Sequence, residues 1–357
     1  MTKVIAFSDF HAHIFNDYAK PDPDYVNDRF RAQMETLEKI FHMARAERAT
    51  VLFAGDLFHK RSKIDDVVFN SVYKIFAENP DVHVTMVRGN HDARTNATVT
   101  AHWLETFQYL PNVTVYAVPM CGYVEAGDSS VGEGFDIYAI PYSDDITFLK
   151  QKIVEFAEMA KQGDTPSVLV GHIGVDGSEV GKYSHRLEGA FKVGDLFPDV
   201  FDYVLLGHYH KRQFLGGLDN VCYIGNTIQT SFSDEGQEKG VMLLDTDKKT
   251  KPEFIPIKNK QFITLTSIDE NTQEIVDNNY VRFILPKEQA QEVEIFKEAS
   301  DNIRVEIQKE YTTDTRIQID RESTEEQIVE AFAKEYYPAA VDVALDILRE
   351  AKAVTPN

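Results

Sequence analysis

Five short segments of the chain place metal-competent side chains directly behind apolar, strand-like runs. They are Ser8-Asp9-Phe10-His11, Gly55-Asp56-Leu57-Phe58-His59, Gly89-Asn90-His91-Asp92, Gly171-His172 and Gly207-His208-Tyr209-His210. Asp9 and Asp56 offer hard anionic oxygens, His11, His172, His208 and His210 neutral imidazole nitrogens, and Asn90 an amide oxygen. Burying so many polar groups together without partners is costly, and cations remove that cost. Mixed nitrogen and oxygen ligation suits manganese, iron or zinc better than calcium or magnesium. A carboxylate can lend one oxygen to two cations ~3.5–4 Å apart, the spacing at which paired metals activate water. A single Gly-His or Gly-Asp pair carries no such meaning; five of these segments in series do. Glycine precedes the first polar residue in four of the five, which allows a tight strand-to-loop turn.

Loops of this kind need strands to hold them. Strands are expected at Lys3–Ser8, Thr50–Ala54, His83–Arg88, Val113–Val118, Phe135–Ile140, Ser167–Val170, Tyr203–Leu206, Val221–Ile224 and Gly240–Leu244. Helices are expected at Asp28–Glu47, Asp65–Glu78, Ala97–Tyr109 and Asp145–Lys161; the second carries Val67, Val68, Tyr73, Ile75 and Phe76 as an apolar stripe behind an acidic first turn. Such alternation predicts an α/β layered core, with ligands at the carboxyl ends of the strands. The polar stretch Lys248–Pro252 reads as a linker. Beyond it, strands at Phe262–Ile268, Tyr280–Leu285, Ile303–Ile307 and Arg316–Ile319 and a helix at Lys287–Ala299 form a small α+β unit. Two helices close the chain: Ser323 with Glu326 reads as a capping box, and Pro338 suits the first turn of the second helix. The expected division is residues 1–250, 251–320 and 321–357.

The chain has 357 residues, 43% hydrophobic and 27% charged, enough to bury a substantial core. No basic segment followed by an apolar run opens it, and no window reaches the ~18 apolar residues of a membrane helix, so a cytoplasmic protein without a membrane partner is expected. The two cysteines, Cys121 and Cys222, are expected to be buried thiols in a reducing compartment. The net charge of −21 repels polyanions at long range, so any nucleic acid must be held locally.

The ordered segments resemble the signature of the calcineurin-like metallophosphoesterase superfamily, which runs D-x-H, G-D-x-x, G-N-H-D, G-H, G-H-x-H. The resemblance covers residues 1 to about 246 with every ligand position filled. It implies a β-sandwich flanked by helices and a two-metal phosphoesterase. Asp9, His11, Asp56 and His210 would hold one metal, and Asp56, Asn90, His172 and His208 the other. His91 would face the scissile phosphate, stabilising charge or protonating the leaving oxygen, and Asp92 would orient His91. Water activated by the two cations would attack phosphorus in line.

Three further features resemble the DNA-repair nuclease branch, the SbcD-type exonuclease subunit: Gly-Asp-Leu-Phe-His in the second motif, Ala139-Ile140-Pro141-Tyr142, and the segment Tyr223–Phe232. In the last, Asn226-Thr227-Ile228 stands where the branch has a tripeptide closer to Gly-Ser-Pro, which leaves the turn there open. The resemblance implies a DNA substrate, two divalent ions (manganese expected; magnesium, iron or zinc as alternatives), and His59 as a further catalytic candidate. It also implies a small capping domain, a C-terminal segment that grips the coiled coil of an SbcC-type ABC ATPase, and a homodimer. Lys60, Arg61, Lys63, Arg88, Arg94, His185, Arg186, Lys211 and Arg212 flank the motif loops and could form a basic rim. Arg61, Lys63, Arg94 and Arg186 are the substrate-binding candidates among them. His13 is expected to face solvent. A phosphatase or small-molecule phosphodiesterase of the same fold is the competing reading, favoured by the net charge. A non-catalytic scaffold is a third, opposed by the intact ligand set.

Overall fold

Strands that are apolar on both faces need cover from both sides, and the sequence supplies two sheets of them. The computed structural model describes residues 2–61, 63–125, 134–179, 191–287, 289, 292–293, 295–296, 303–307 and 323–354. One six-stranded sheet runs, edge to edge, β14 (Glu253–Pro256), β13 (Gly240–Asp245), β1 (Lys3–Phe7), β4 (Thr50–Phe53), β5 (Val84–Val87) and β6 (Val113–Tyr116). The other runs β11 (Gln213–Phe214), β12 (Val221–Tyr223), β10 (Tyr203–Gly207), β9 (Ser167–His172), β8 (Gly134–Ile140) and β7 (Met120–Glu125). In each sheet a block of parallel strands (β1, β4, β5, β6; β8, β9, β10, β12) is edged by antiparallel ones.

Side-chain alternation sorts these strands into layers. Val4 and Ala6 of β1 face Phe135, Val168 and Leu205 of the second sheet, while Ile5 and Phe7 face the helices. Helix α1 (Asp28–Glu47) lays Phe30, Met34, Leu37 and Phe41 on that outer face, beside α2 (Asp66–Ala77). Helix α3 (Ile146–Ala160) covers the second sheet with Leu149, Ile153 and Phe156. Each such side chain contributes roughly 1.5–3 kcal/mol when fully buried. The result is a helix-flanked β-sandwich, the α/β class expected. The α1 stripe is therefore spent on its own core. All three helices start where a side chain accepts a backbone N–H: Asn27 from Phe30, Asp65 from Val67, Asp145 from Phe148.

The helix expected over Ala97–Tyr109 is reduced to a 3-10 helix, Trp103–Tyr109. Ahead of it, Thr98 bonds Ser143, Thr95 bonds Thr100, and Asn96 accepts from Arg61, so these side chains compete with the helical ladder. Strand β7, absent from the sequence reading, pairs with β8 although Gly122 interrupts its apolar pattern. A short ribbon, β2 (Pro21–Asp22) with β3 (Val26–Asn27), precedes α1.

The segment beyond the core forms a parallel sheet, β15 (Phe262–Leu265), β16 (Tyr280–Leu285) and β17 (Ile303–Ile307), with α4 (Thr272–Asn278) against it. Most of the expected helix Lys287–Ala299, and all of the strand Arg316–Ile319, lie outside the described residues. The chain divides into two compact units, Met1–Ile307 and Gln308–Asn357. In the second, α5 (Glu325–Tyr336) and α6 (Val341–Val354) are joined by a 3-10 turn at Pro338–Ala340. The capping box falls one residue later than expected. Thr324 accepts from Gln327 N, and Gln327 Oε1 accepts from Thr324 N at 2.7 Å, because the helix starts at Glu325. Among the described residues no helix is long and apolar enough to cross a membrane.

Candidate metal centre

The first two motif loops are stitched side by side. Asp9 N donates to Gly55 O, His11 N to Asp56 O and Ala12 N to Leu57 O, at 2.8–3.0 Å. This course demands left-handed backbone at Asp9, His11 and Asp56 (φ 50°, 49° and 65°), and His208 has φ 101°. Each such residue costs roughly 1–3 kcal/mol, so the surrounding bonds must hold it. Gly55, at φ 98°, could not carry a side chain there, since a Cβ would run into His172. Gly89 is needed for close approach: a Cβ on it would collide with the Asp56 carboxylate.

Donor atoms from the five loops converge in two groups. In one, His172 Nε2 lies 2.9 Å from Asn90 Oδ1 and 3.3 Å from Asp56 Oδ2, and His208 Nδ1 lies 3.1 Å from Asn90 Oδ1. In the other, His11 Nε2 lies 3.0 Å from His210 Nε2, 3.7 Å from Asp56 Oδ2 and 4.0 Å from Asp9 Oδ1. Asp56 Oδ2 belongs to both. All seven expected ligands are thus brought together, and all but His208 and His210 are buried.

The residues fit divalent cations. Donors about 3 Å apart are what neighbouring ligands on one cation with bonds of ~2.1 Å adopt. His172 Nδ1–H donates to Ala54 O at 2.8 Å, which leaves Nε2 for a metal. Burial disfavours a charged His172, yet Asp56 and Asp9 raise it to about 9, so ligation would displace a proton. Burial would raise Asp56, but His172 holds its carboxyl far below the usual range, whereas burial prevails at Asp9 and raises it. Burial and His172 push His208 down to about 3, and burial also keeps His11 neutral, the form a metal takes.

His91 and Asp92 take different parts from the expected pair. His91 N donates to Asp56 Oδ1 at 2.7 Å, and its Nδ1 lies 2.5 Å from His59 O. A carbonyl can only accept, so Nδ1 carries the proton and Nε2 is left free to act. Asp92 does not orient His91. Its carboxylate accepts from Asp56 N, Leu57 N and Gly89 N at 2.8–2.9 Å and locks the second and third loops together. Three backbone donors aimed at one buried point capture the carboxylate before a neighbouring ring can. Burial and the Asp56 charge nevertheless raise Asp92 to about 6.

His59 is in the site: its ring stacks on those of His13 and His91, and burial pushes it down to about 4. His13 is half-buried rather than solvent-facing, because Gln33 bonds both its N and its O. The basic rim is thinner than expected. Arg88 is buried, donating to the carbonyls of Ala117, Thr98 and Tyr142. Arg212 stacks on Phe254, and Lys211 pairs with Glu179. Arg61 donates to Asn96, Lys63 and Arg94 are exposed, and Arg186 lies outside the described residues. The Asn226 turn is closed by its own side chain, which donates to Ile228 O at 2.7 Å behind Gly225 at φ 78°.

Sequence reasoning missed Lys239, whose buried ammonium donates to His210 O (2.9 Å) and Asp234 Oδ1 (3.1 Å). Besides Gln237 two positions away, its partners lie 29 and five positions away, and no local pattern marks the tie to His210. Ser8, which donates to Asp9 Oδ2 at 2.5 Å, could have been found from its place beside the first ligand. With this arrangement of donors in view, the match of residues 2–212 to the calcineurin-like phosphoesterase model places the chain in that family of metal-dependent hydrolases.

Proposed function

We propose that the chain is a manganese-dependent DNA exonuclease and endonuclease, the nuclease subunit of a complex with an SbcC-type ABC ATPase in DNA repair or recombination. The observation that carries the chemistry is the single oxygen, Asp56 Oδ2, shared by two groups of donors. When bound, two divalent cations supply a nucleophilic water near neutral pH and neutralise charge on the phosphoryl oxygens. Asp9, His11, Asp56 and His210 would hold one, and Asp56, Asn90, His172 and His208 the other. His91, its Nδ1 proton fixed on the His59 carbonyl, presents Nε2 to the leaving oxygen and gives it a proton when the ring is the doubly protonated imidazolium, reverting to the Nδ1–H form. The His59 main-chain carbonyl sets the tautomer for that step, and the His59 ring stacks on that of His91.

Partner docking is assigned to the C-terminal helices, which leave Phe332, Tyr337, Val343 and Ile347 exposed. Arg61, Lys63, Arg94 and Arg186 are the candidate phosphate contacts, a homodimer is part of the reading, and the free thiols suit a reducing cytoplasm. The second reading, a phosphatase or small phosphodiesterase, rests on the net charge of −21. A manganese-supported assay on linear double-stranded DNA beside a small chromogenic phosphodiester separates the two. Cleavage of both supports the nuclease; cleavage of the small substrate alone overturns it.

A further inference from the structure

Beside the metal pocket lies a cavity of about 740 Å³, within the size range of ligand sites. The two share a wall, His59 and Thr230, so a chain whose reacting phosphate sits at the metals continues directly into the cavity. Its far side is built by the small sheet, through Arg282 of β16 and Arg304 of β17. Arg29 of α1 closes it from the core.

The three guanidiniums are unusual for a chain of net charge −21. Each lies against aromatic rings: Arg29 over Phe15 (4.7 Å) and Phe262 (5.1 Å), Arg282 over Phe232 (4.1 Å), Arg304 over Tyr18 (4.9 Å). Stacking of this kind holds a planar, weakly hydrated cation rigid, which favours recognition of phosphate. Arg29 is 5% exposed, and among the described residues its hydrogen bonds go only to the carbonyls of Asp17 and Thr230. Among the described residues no carboxylate lies at ion-pair distance from this buried charge. Arg282 donates to Thr264 Oγ1 and lies 3.9 Å from Glu306, but its Nε is buried with no partner. The carboxylates at the cavity, Asp17 and Glu306, are largely exposed, and such pairs are readily exchanged for another anion.

We propose that this cavity holds a second backbone phosphate of the substrate strand, next to the scissile one, on Arg29, Arg282 and Arg304. The inference rests on the nuclease reading and deepens it. The site would distinguish an oligonucleotide from a simple phosphoester by a phosphate that the simple ester lacks, and local positive charge would offset the acidic body.

The test compares the manganese-loaded wild type with Arg282→Gln/Arg304→Gln, using a hexathymidylate and a chromogenic phosphodiester. The expected result is that kcat/KM for the hexathymidylate falls about ten-fold further than that for the diester, mainly through KM. Binding of a hydrolysis-resistant phosphorothioate hexathymidylate, read by fluorescence anisotropy, should weaken about ten-fold, with its log–log salt slope reduced by about 1. Equal loss on both substrates, or unchanged anisotropy and salt slope, overturns the subsite. Wild-type protein that binds the phosphorothioate but cleaves no oligonucleotide overturns the nuclease reading instead and leaves the subsite standing. Arg29→Lys, which keeps the charge but not the stacked fork, should give an intermediate affinity if the site is built for a phosphate.

Discussion

The two sheets contribute unlike chemistry to one centre. The loops behind β1, β4 and β5 deliver the carboxylates, the amide, one imidazole ligand (His11) and the pair His59 and His91, and they are cross-braced by Asp92 and by backbone bonds between loops. The loops behind β9 and β10 deliver imidazoles alone: His172, His208 and His210. Each layer by itself is an incomplete coordination shell. The centre therefore exists only when the sandwich closes, and the groups that cross the seam between layers matter as much as the ligands. Lys239, just ahead of β13, is one such group, since it grips the His210 carbonyl of the opposite layer.

The largest effect should come from the oxygen both donor groups share. Asp56→Ala is expected to lose bound metal and at least about 10³-fold in kcat, read by metal analysis and phosphodiester turnover. If one equivalent of metal and near-normal turnover survive, Asp56 does not join the two groups. His91→Asn should keep the metal and lose about 10²–10⁴-fold in kcat; loss of metal would make His91 a ligand instead. Lys239→Met should lower stability by about 3–5 kcal/mol, because it strands Asp234 as a buried, unpaired charge. Urea denaturation measures this, and a change under 1 kcal/mol would show that the strut is dispensable.

The smallest effect tests closure of the layers. Cys222 of β12 is buried between the sheets, and burial raises its thiol from 9.0 to about 12. A native protein should therefore leave Cys222 unlabelled by a thiol reagent at pH 8 while Cys121 reacts, and urea should expose both. The sign is fixed by linkage. The folded state holds that proton where the unfolded state releases it, so the stability contributed is present below pH ~9 and fades as pH rises toward 12. Rapid native labelling of Cys222 would mean that the layers separate readily.

Much of this was legible in the sequence because the ligands are chemically rare residues behind apolar strands, a pattern that survives without any tertiary information. The parallel strands of both sheets and the helices α1, α2 and α3 were legible for the same reason of periodicity, whereas the edge strands β7, β11 and β14 were not. What escaped were arrangements made by long-range competition. Nothing near Asp92 says that three backbone N–H groups from two loops will reach it before His91 does. Arg88 sits beside the third motif like a substrate contact, yet the carbonyls around it bury it. Arg29, Arg282 and Arg304 come from a helix and two strands scattered along the chain, and only the fold makes them neighbours.

The triple capture of Asp92 has a consequence for ionic radius. Because Asp56, Leu57 and Gly89 are tied to one carboxylate, the oxygen side of the centre has little room to expand or contract. A larger or smaller ion must then be accommodated by the imidazoles of the opposite sheet. The histidine layer, and with it the Lys239 strut behind His210, would decide which metal the centre accepts.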